Sequence, residues 1–206
     1  MMSLRSTNEA VLQAVIEILL PIPFRVPEVC IVIDGMKKKG EGCFGFIDIF
    51  IPEGIKRESQ QISNVILELK YITLIGLLSG ANQQWIKTPN PKMMEQLDKE
   101  IEEKSVEEIL KYNYMYWSVE KKCYVLNKVN DIVNHGQQQL DIYIKTMAKG
   151  KVRNYSDSGI VDSRVGTKKG PSQLRGYLIL TIGSHHVLVW SSKSMTIDWK
   201  YYIAQA

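Results

Sequence analysis

A glutamate and a lysine interrupt one of the most apolar runs in the chain, Asn64-Val-Ile-Leu-Glu-Leu-Lys70. In a strand, alternate side chains share a face, so Glu68 and Lys70 point one way while Leu67 and Leu69 point the other. A carboxylate and an ammonium in a central strand are costly to bury unless they are paired or bind something. Asp48 poses the same problem within Phe46-Ile-Asp-Ile-Phe-Ile51. If the two strands pair, Asp48 and Glu68 can approach on one face, and carboxylates that close repel unless a cation lies between them. A few hard oxygen donors suit Mg²⁺, with Mn²⁺ as a substitute, because Mg²⁺ keeps several waters and accepts phosphate oxygens. The chemistry this implies is phosphodiester hydrolysis. The metal polarises a phosphoryl oxygen and activates a water, and Lys70 orients that water and stabilises charge building on phosphorus. A plain edge-strand ion pair is the competing reading.

The elements that must position these residues are readable around them. A helix is expected from Thr7, its cap, to about Leu20, with Val11, Val15, Ile18 and Leu19 forming one apolar face and Pro21 ending it. Strands follow at Glu28 to Asp34 and Cys43 to Ile51, joined by the glycine- and lysine-rich turn Gly35 to Gly42. A polar loop, Pro52 to Ser63, leads to the third strand, Asn64 to Lys70. Tyr71 to Leu78 can open a helix, although Gly76 and Gly80 argue against it, and Thr88 to Pro91 reads as a loop. Met94, Leu97 and Ile101 mark a charged helix. Ser105-Val-Glu-Glu108 is a capping box for another helix ending near Tyr112. The aromatic run Tyr112, Tyr114, Tyr116 and Trp117 is expected to pack this excursion onto the body. A longer helix runs from Val125 or Val129 to Met147, with Gly150 as its stop. Residues 151–175 read as a long mobile loop, and a hairpin closes the chain: Gly176 to Ile182, a Gly183-Ser184 turn, then His186 to Ser191. No repeat or boundary divides the chain. The expectation is one mixed α/β domain over residues 1–206, with a helical insertion at about 81–128.

With these pieces in order, the chain resembles the PD-(D/E)XK nuclease superfamily, in particular the group often associated with AAA-ATPase-like domains. The resemblance rests on Asn8-Glu-Ala-Val-Leu12, Gly45-Phe-Ile-Asp-Ile-Phe-Ile51, Ile66-Leu-Glu-Leu-Lys70, Gln139-Leu-Asp-Ile-Tyr143 and Gly176-Tyr-Leu-Ile-Leu-Thr-Ile-Gly183. It implies a restriction-endonuclease-like α-β-β-β-α-β core. It also implies a metal-dependent nuclease acting on nucleic acid, DNA before RNA. Asp48 then resembles the family's metal-binding aspartate, and Glu68 and Lys70 its E-x-K pair. Gln139 resembles the helix glutamine that lines the site, and Glu9 the first-helix glutamate that reaches the metal. Asp34 rivals Asp48, Glu17 rivals Glu9, and Gln137 and Gln138 rival Gln139. Tyr143 shares the helix face of Gln139 and is expected to pack. An AAA-ATPase-like partner is implied but is not in this chain. A nuclease-like domain kept as a nucleic-acid-binding or interaction module is the alternative.

The remaining residues narrow the field. Cys30, Cys43 and Cys123 form no C-x-x-C pair, which argues against a disulfide framework or structural zinc and fits an intracellular setting. Val11 to Leu20 is too short and too polar to span a bilayer. His185 and His186 are adjacent and point to opposite faces of a strand, so they do not share one ion, and His135 has no ligand-like neighbour. Gly166-Thr-Lys-Lys-Gly170 lacks P-loop spacing, so nucleotide hydrolysis is not expected. The net charge of +4 permits a nucleic-acid partner without requiring one. Basic clusters at Lys37–Lys39, Lys121–Lys122, Lys149–Arg153 and Lys168–Lys169 would track phosphates if they share a side with Glu68.

Overall fold

The three apolar runs after the first helix form an antiparallel meander, the arrangement their short connections favour. In the computed structural model, β1 (Val26–Val32) pairs with β2 (Phe44–Ile51), which pairs with β3 (Ser63–Ile72). Residues 4–37, 43–52, 63–183 and 186–204 are described, with side chains in the first helix from Glu9 onward. The turn at 38–42, the loop at 53–62, Ser184, His185 and the capping side chain of Thr7 lie outside the described residues. Val29, Ile31, Ile47 and Ile49 are wholly buried, so the meander's core face is the one carrying β-branched residues at alternate positions.

The first helix, α1 (Leu4–Leu19), forms as its periodicity predicts. Its apolar face is not buried, however. Val11, Val15, Ile18 and Leu19 are all exposed, Ile18 at 83%.

The chain's contacts fall into two compact units. One comprises Met1–Leu12, Leu69–Gly136 and Ile179–Val189; the other comprises Gln13–Glu68, Gln137–Leu178 and Trp190–Ala206. In the first unit, Thr73 Oγ1 accepts from Gly76 N and starts α2 (Leu74–Ala81). Asn90 caps α3 (Pro91–Glu102), with Pro91 at its first position, so the double-proline stretch is a helix start as well as a loop. The capping box of Ser105 and Glu108 is present, but α4 (Val106–Ile109) is a single turn that ends before Tyr112.

The insertion is not all helical. Its aromatic run forms β4 (Asn113–Ser118), which pairs with β5 (Cys123–Lys128) from Tyr114↔Asn127 to Trp117↔Tyr124. Val125 therefore belongs to a strand, and the long helix, α5 (Val129–Met147), begins at the later of its two expected starts. The hairpin is stapled by aromatic rings: Tyr124 stacks on Trp85 at 4.6 Å and meets Trp117 edge-on at 5.1 Å.

In the second unit α5 lies on the sheet through Tyr143, Leu140 and Ile144. A Cβ added to Gly45 would stand 2.8 Å from Tyr143 Cε1, and one added to Gly176 would stand 2.7 Å from Leu140 Cδ1. Glycine at both positions lets the helix approach the strands. After Gly150, in the left-handed region at φ +87, the chain returns through β6 (Gly159–Ile160) and enters β7 (Val165–Ile182). Residues 151–175 are thus not one long loop. The polar first half of β7 is a strand because β9 (Met195–Ile203) pairs with it, Thr167↔Tyr201 and Lys169↔Trp199, with a register shift at Gly170-Pro171. Tyr201 is wholly buried, packs edge-on against Phe50 and donates from its hydroxyl to Met147 O.

The hairpin β7–β8 (His186–Ser191) is therefore followed by one more strand than expected. The sheet order is β6-β1-β2-β3-β7-β8, with β9 on β7. At the start of β3, Asn64 Nδ2 donates to Ser172 Oγ and Gln173 O; at its end, Ile72 O accepts from Gly183 N. The two strands thus run in the same direction, with α5 on the connection between them. The architecture is mixed α/β with a largely sheet core.

Candidate active site

The site is built where β2 and β3 meet. Their described pairs are Ile51↔Val65, Phe50↔Ile66 and Ile49↔Leu67. One further step in that register sets Asp48 opposite Glu68, and residues directly opposite in an antiparallel pair share a face. Glu68 is wholly buried and Asp48 is half-buried. Lys70, also half-buried, is two residues beyond Glu68 on β3 and turns to the same side of the strand. The β1–β2 register, Pro27↔Ile49 and Val29↔Ile47, adds a residue that sequence reasoning did not single out: Glu28 falls opposite Asp48. Three acids thus occupy one row across three strands. Glu28 has a left-handed backbone, φ +49, and an exposed side chain, so the ladder is interrupted at its position.

Among the described residues, no group of three or more His, Cys, Asp or Glu side chains stands where it could hold a metal ion. A cation at this row would therefore draw on Asp48 and Glu68 and complete its shell with water. That donor set fits Mg²⁺, which binds through one or two carboxylates.

The contacts of Gln139 place it on the helix-covered face. Gln139 Nε2 donates to Tyr143 Oη at 2.6 Å, and the Tyr143 ring stands against Gly45. Gly45 and Asp48 are three residues apart, so the strand pleat turns them to opposite faces of β2. Gln139 is thus brought to the helix-covered side, where it fixes the tyrosine that seats α5, and not onto the Asp48 side. Glu9 is on α1 and half-buried.

The rivals have structural explanations. Asp34 Oδ1 accepts from Met36 N and shapes a turn, and Glu17 pairs with Arg25 Nη1 at 2.7 Å. Gln137 and Gln138 are exposed on α5, as is His135. His186 Nε2 lies 3.1 Å from Asp98 Oδ1 on α3.

A second charged cluster borders the row. Asp162 Oδ1 accepts from Arg164 N and Nε, and its Oδ2 accepts from Arg164 Nη2 and Cys30 N. Arg164 Nη2 also donates to the carbonyls of Pro27 and Glu28, tying the cluster to β1. Burial pushes the Asp162 carboxyl up, but the Arg164 and Cys30 hydrogen bonds outweigh it and hold it below the usual carboxylate range. Burial, then the Asp162 carboxylate and Cys43, push the Cys30 thiol up, which makes it a poor nucleophile.

A folded-state pKa below the unfolded value gives stability that is full above the unfolded pKa and lost as pH falls through the folded one. Asp162→Asn should therefore cost about 2 kcal/mol at neutral pH, the scale of hydrogen bonds to a charged group. In urea titrations that difference should shrink progressively below about pH 4, the unfolded aspartate pKa. A difference independent of pH would show that the carboxylate charge is not what holds this cluster.

Compared with known proteins, the chain matches no family model, no curated protein and no solved structure.

Proposed function

We propose that this chain is a Mg²⁺-dependent nuclease that hydrolyses phosphodiester bonds in nucleic acid, with DNA the substrate to test first. The observation that carries the reading is the β2–β3 register, which if continued one step past Ile49↔Leu67 brings half-buried Asp48 opposite wholly buried Glu68. Asp48 and Glu68 hold the cation. Bound there, Mg²⁺ supplies Lewis-acid polarisation of the phosphoryl oxygen and activation of a water. Lys70 orients that water and offsets charge as it builds on the phosphate oxygens. The order of elements is compatible with the reading: α1, the β1–β2–β3 meander, α5 and β7 occur in the sequence an α-β-β-β-α-β core would need, with α2–α4, β4, β5 and β6 inserted between them. Lys168 stands opposite Lys200 on the β7–β9 ribbon, a like-charge pair that a phosphate backbone would relieve.

The test is incubation of purified protein with supercoiled plasmid and single-stranded DNA, with Mg²⁺, Mn²⁺ or chelator, beside Glu68→Gln and Lys70→Ala. Cutting that needs metal and disappears in both variants supports the reading. A folded wild type that binds DNA without cutting it would instead be a nuclease-like binding module.

A further inference from the structure

On the sheet face that carries Asp48, the alternate positions along β2 are aromatic. Phe46 is two residues before Asp48, and Phe44 two before that. Across the ladder Phe46 pairs with Cys30. Tyr155 closes over this strip from the segment between α5 and β6, meeting Phe44 edge-on with ring centroids 5.4 Å apart. Gly35 permits that closure: a Cβ there would lie 2.1 Å from Ser156 O and 2.6 Å from Tyr155 O. Phe46, Phe44 and Tyr155 line a cavity of about 760 Å³, together with Cys30 and Cys43. That size falls within the range of about 300–1,000 Å³ typical of small-molecule sites. Phe46 and Tyr155 are 57% and 63% exposed, so much of two large rings is open to solvent.

One basic and one acidic side chain, Lys37 and Asp162, line the cavity. An adjoining cavity that shares Val161 and Ser163 is lined by Arg153 and by Lys151, whose Nζ also donates to Val165 O at 2.7 Å. The acid that faces in, Asp162, is engaged by the Arg164 guanidinium. Aromatic walls with basic groups along one side form the pattern that seats a base by stacking while holding its phosphates electrostatically.

We propose that this cavity binds a nucleobase of single-stranded or locally unstacked nucleic acid, so that the adjoining phosphate lies toward Asp48 and Glu68. The proposal rests on the nuclease reading and specifies its substrate. A stacked duplex cannot present a base to a walled pocket without first unpairing it. The preferred substrate is therefore single-stranded. Phe46 and Tyr155 supply stacking, and Lys37, Lys151 and Arg153 supply phosphate contacts.

The test uses the full chain in chelator, where cutting is suppressed, with a fluorescent single-stranded oligothymidylate carrying one 2-aminopurine. Wild type should bind it and quench the 2-aminopurine, and a duplex of matching sequence should bind more weakly. Phe46→Ala and Tyr155→Ala should each weaken binding by roughly 5- to 100-fold, the scale of one lost base–aromatic stack. Phe46→Trp should restore it. Both rings are largely exposed, so the alanine variants should melt as wild type does; one that melts lower is replaced by the leucine variant at the same position, Phe46→Leu or Tyr155→Leu. Binding and quenching indifferent to both rings, or equal affinity for duplex, would overturn the pocket. If Mg²⁺-dependent cutting persists in that case, the nuclease reading stands alone. Ring-dependent binding without cutting in any metal would leave the pocket standing and remove the nuclease. A wild type that neither binds nor cuts removes both.

Discussion

Glu68→Gln should lower metal-dependent cleavage by about 1,000-fold while leaving the fold intact, because the substitution keeps shape and volume and removes the charge proposed to hold the cation. Lewis-acid stabilisation of a phosphoryl transition state is worth several kcal/mol, and each ~1.4 kcal/mol of barrier is tenfold in rate. Asp48→Asn should behave alike, since the proposal gives the two acids the same task of holding the cation.

A thermal readout separates lost metal binding from lost chemistry. Metal that binds only the folded protein stabilises it by mass action, by about 2.7 kcal/mol at a hundredfold excess over Kd. Wild type should therefore melt higher as Mg²⁺ or Mn²⁺ is raised, whereas Glu68→Gln and Asp48→Asn should hardly respond. An equal rise in all three would place the metal elsewhere. Full cleavage by either variant would remove the acid from the mechanism. Lys70→Ala should lose cleavage yet keep the metal-dependent rise, because an ammonium assists the water and does not ligate.

How much of this was legible beforehand depended on whether local pattern or distant pairing decided each residue. Asp48, Glu68 and Lys70 stood out because charge inside an apolar strand conflicts with burial, and that conflict is local. Their register was not legible, since it depends on which strands pair. Glu28 escaped notice for the same reason: its position level with Asp48 follows only from the strand register on either side of it. Among Gln137, Gln138 and Gln139, nothing in the sequence distinguishes the residue that bonds Tyr143. Which face of β2 carries Asp48 becomes clear only once Gly45 is seen to receive the Tyr143 ring.

Several strands were lost to misleading neighbours. In β4 and β5, the Tyr and Trp residues flanking Glu120-Lys-Lys122 are strong strand formers, but the capping box just before them suggested more helix. In the first half of β7, Lys168-Lys-Gly-Pro171 is among the poorest strand sequences in the chain. It is held by β9, whose buried Tyr201 anchors the ribbon through Phe50 and Met147, a pairing of residues more than twenty positions apart. On α1 the reverse occurred: the apolar period was legible, but periodicity says nothing of what lies opposite, and that face is exposed.

The glycines of α2 point to the second large effect, Gly80→Ala. Read from sequence, Gly76 and Gly80 weaken a helix by about 1 kcal/mol each relative to alanine. In the fold they are one turn apart on the side that meets β4, and both are buried. A Cβ on Gly80 would lie 2.2 Å from Asn113 O, 2.5 Å from Asn113 C and 2.8 Å from Tyr114 N, all backbone atoms of a paired strand. No rotamer change relieves such contacts, so the hairpin must shift as a body. Overpacking of this kind costs about 1–3 kcal/mol and occasionally more, which outweighs the helix propensity gained. Gly80→Ala should therefore destabilise by about 2 kcal/mol, which lowers the melting midpoint by roughly 4–8 °C in a chain of this size. Gly76→Ala meets mainly the Tyr114 ring, Cε2 at 2.2 Å, with Met115 O at 2.8 Å, and a ring can yield somewhat. Its cost should be smaller. Urea titrations followed by fluorescence, to which Trp85 and Trp117 in the hairpin cluster contribute, measure both variants. A stabilised Gly80→Ala would mean that propensity alone governs α2, and that the close seat of β4 on the helix is wrong.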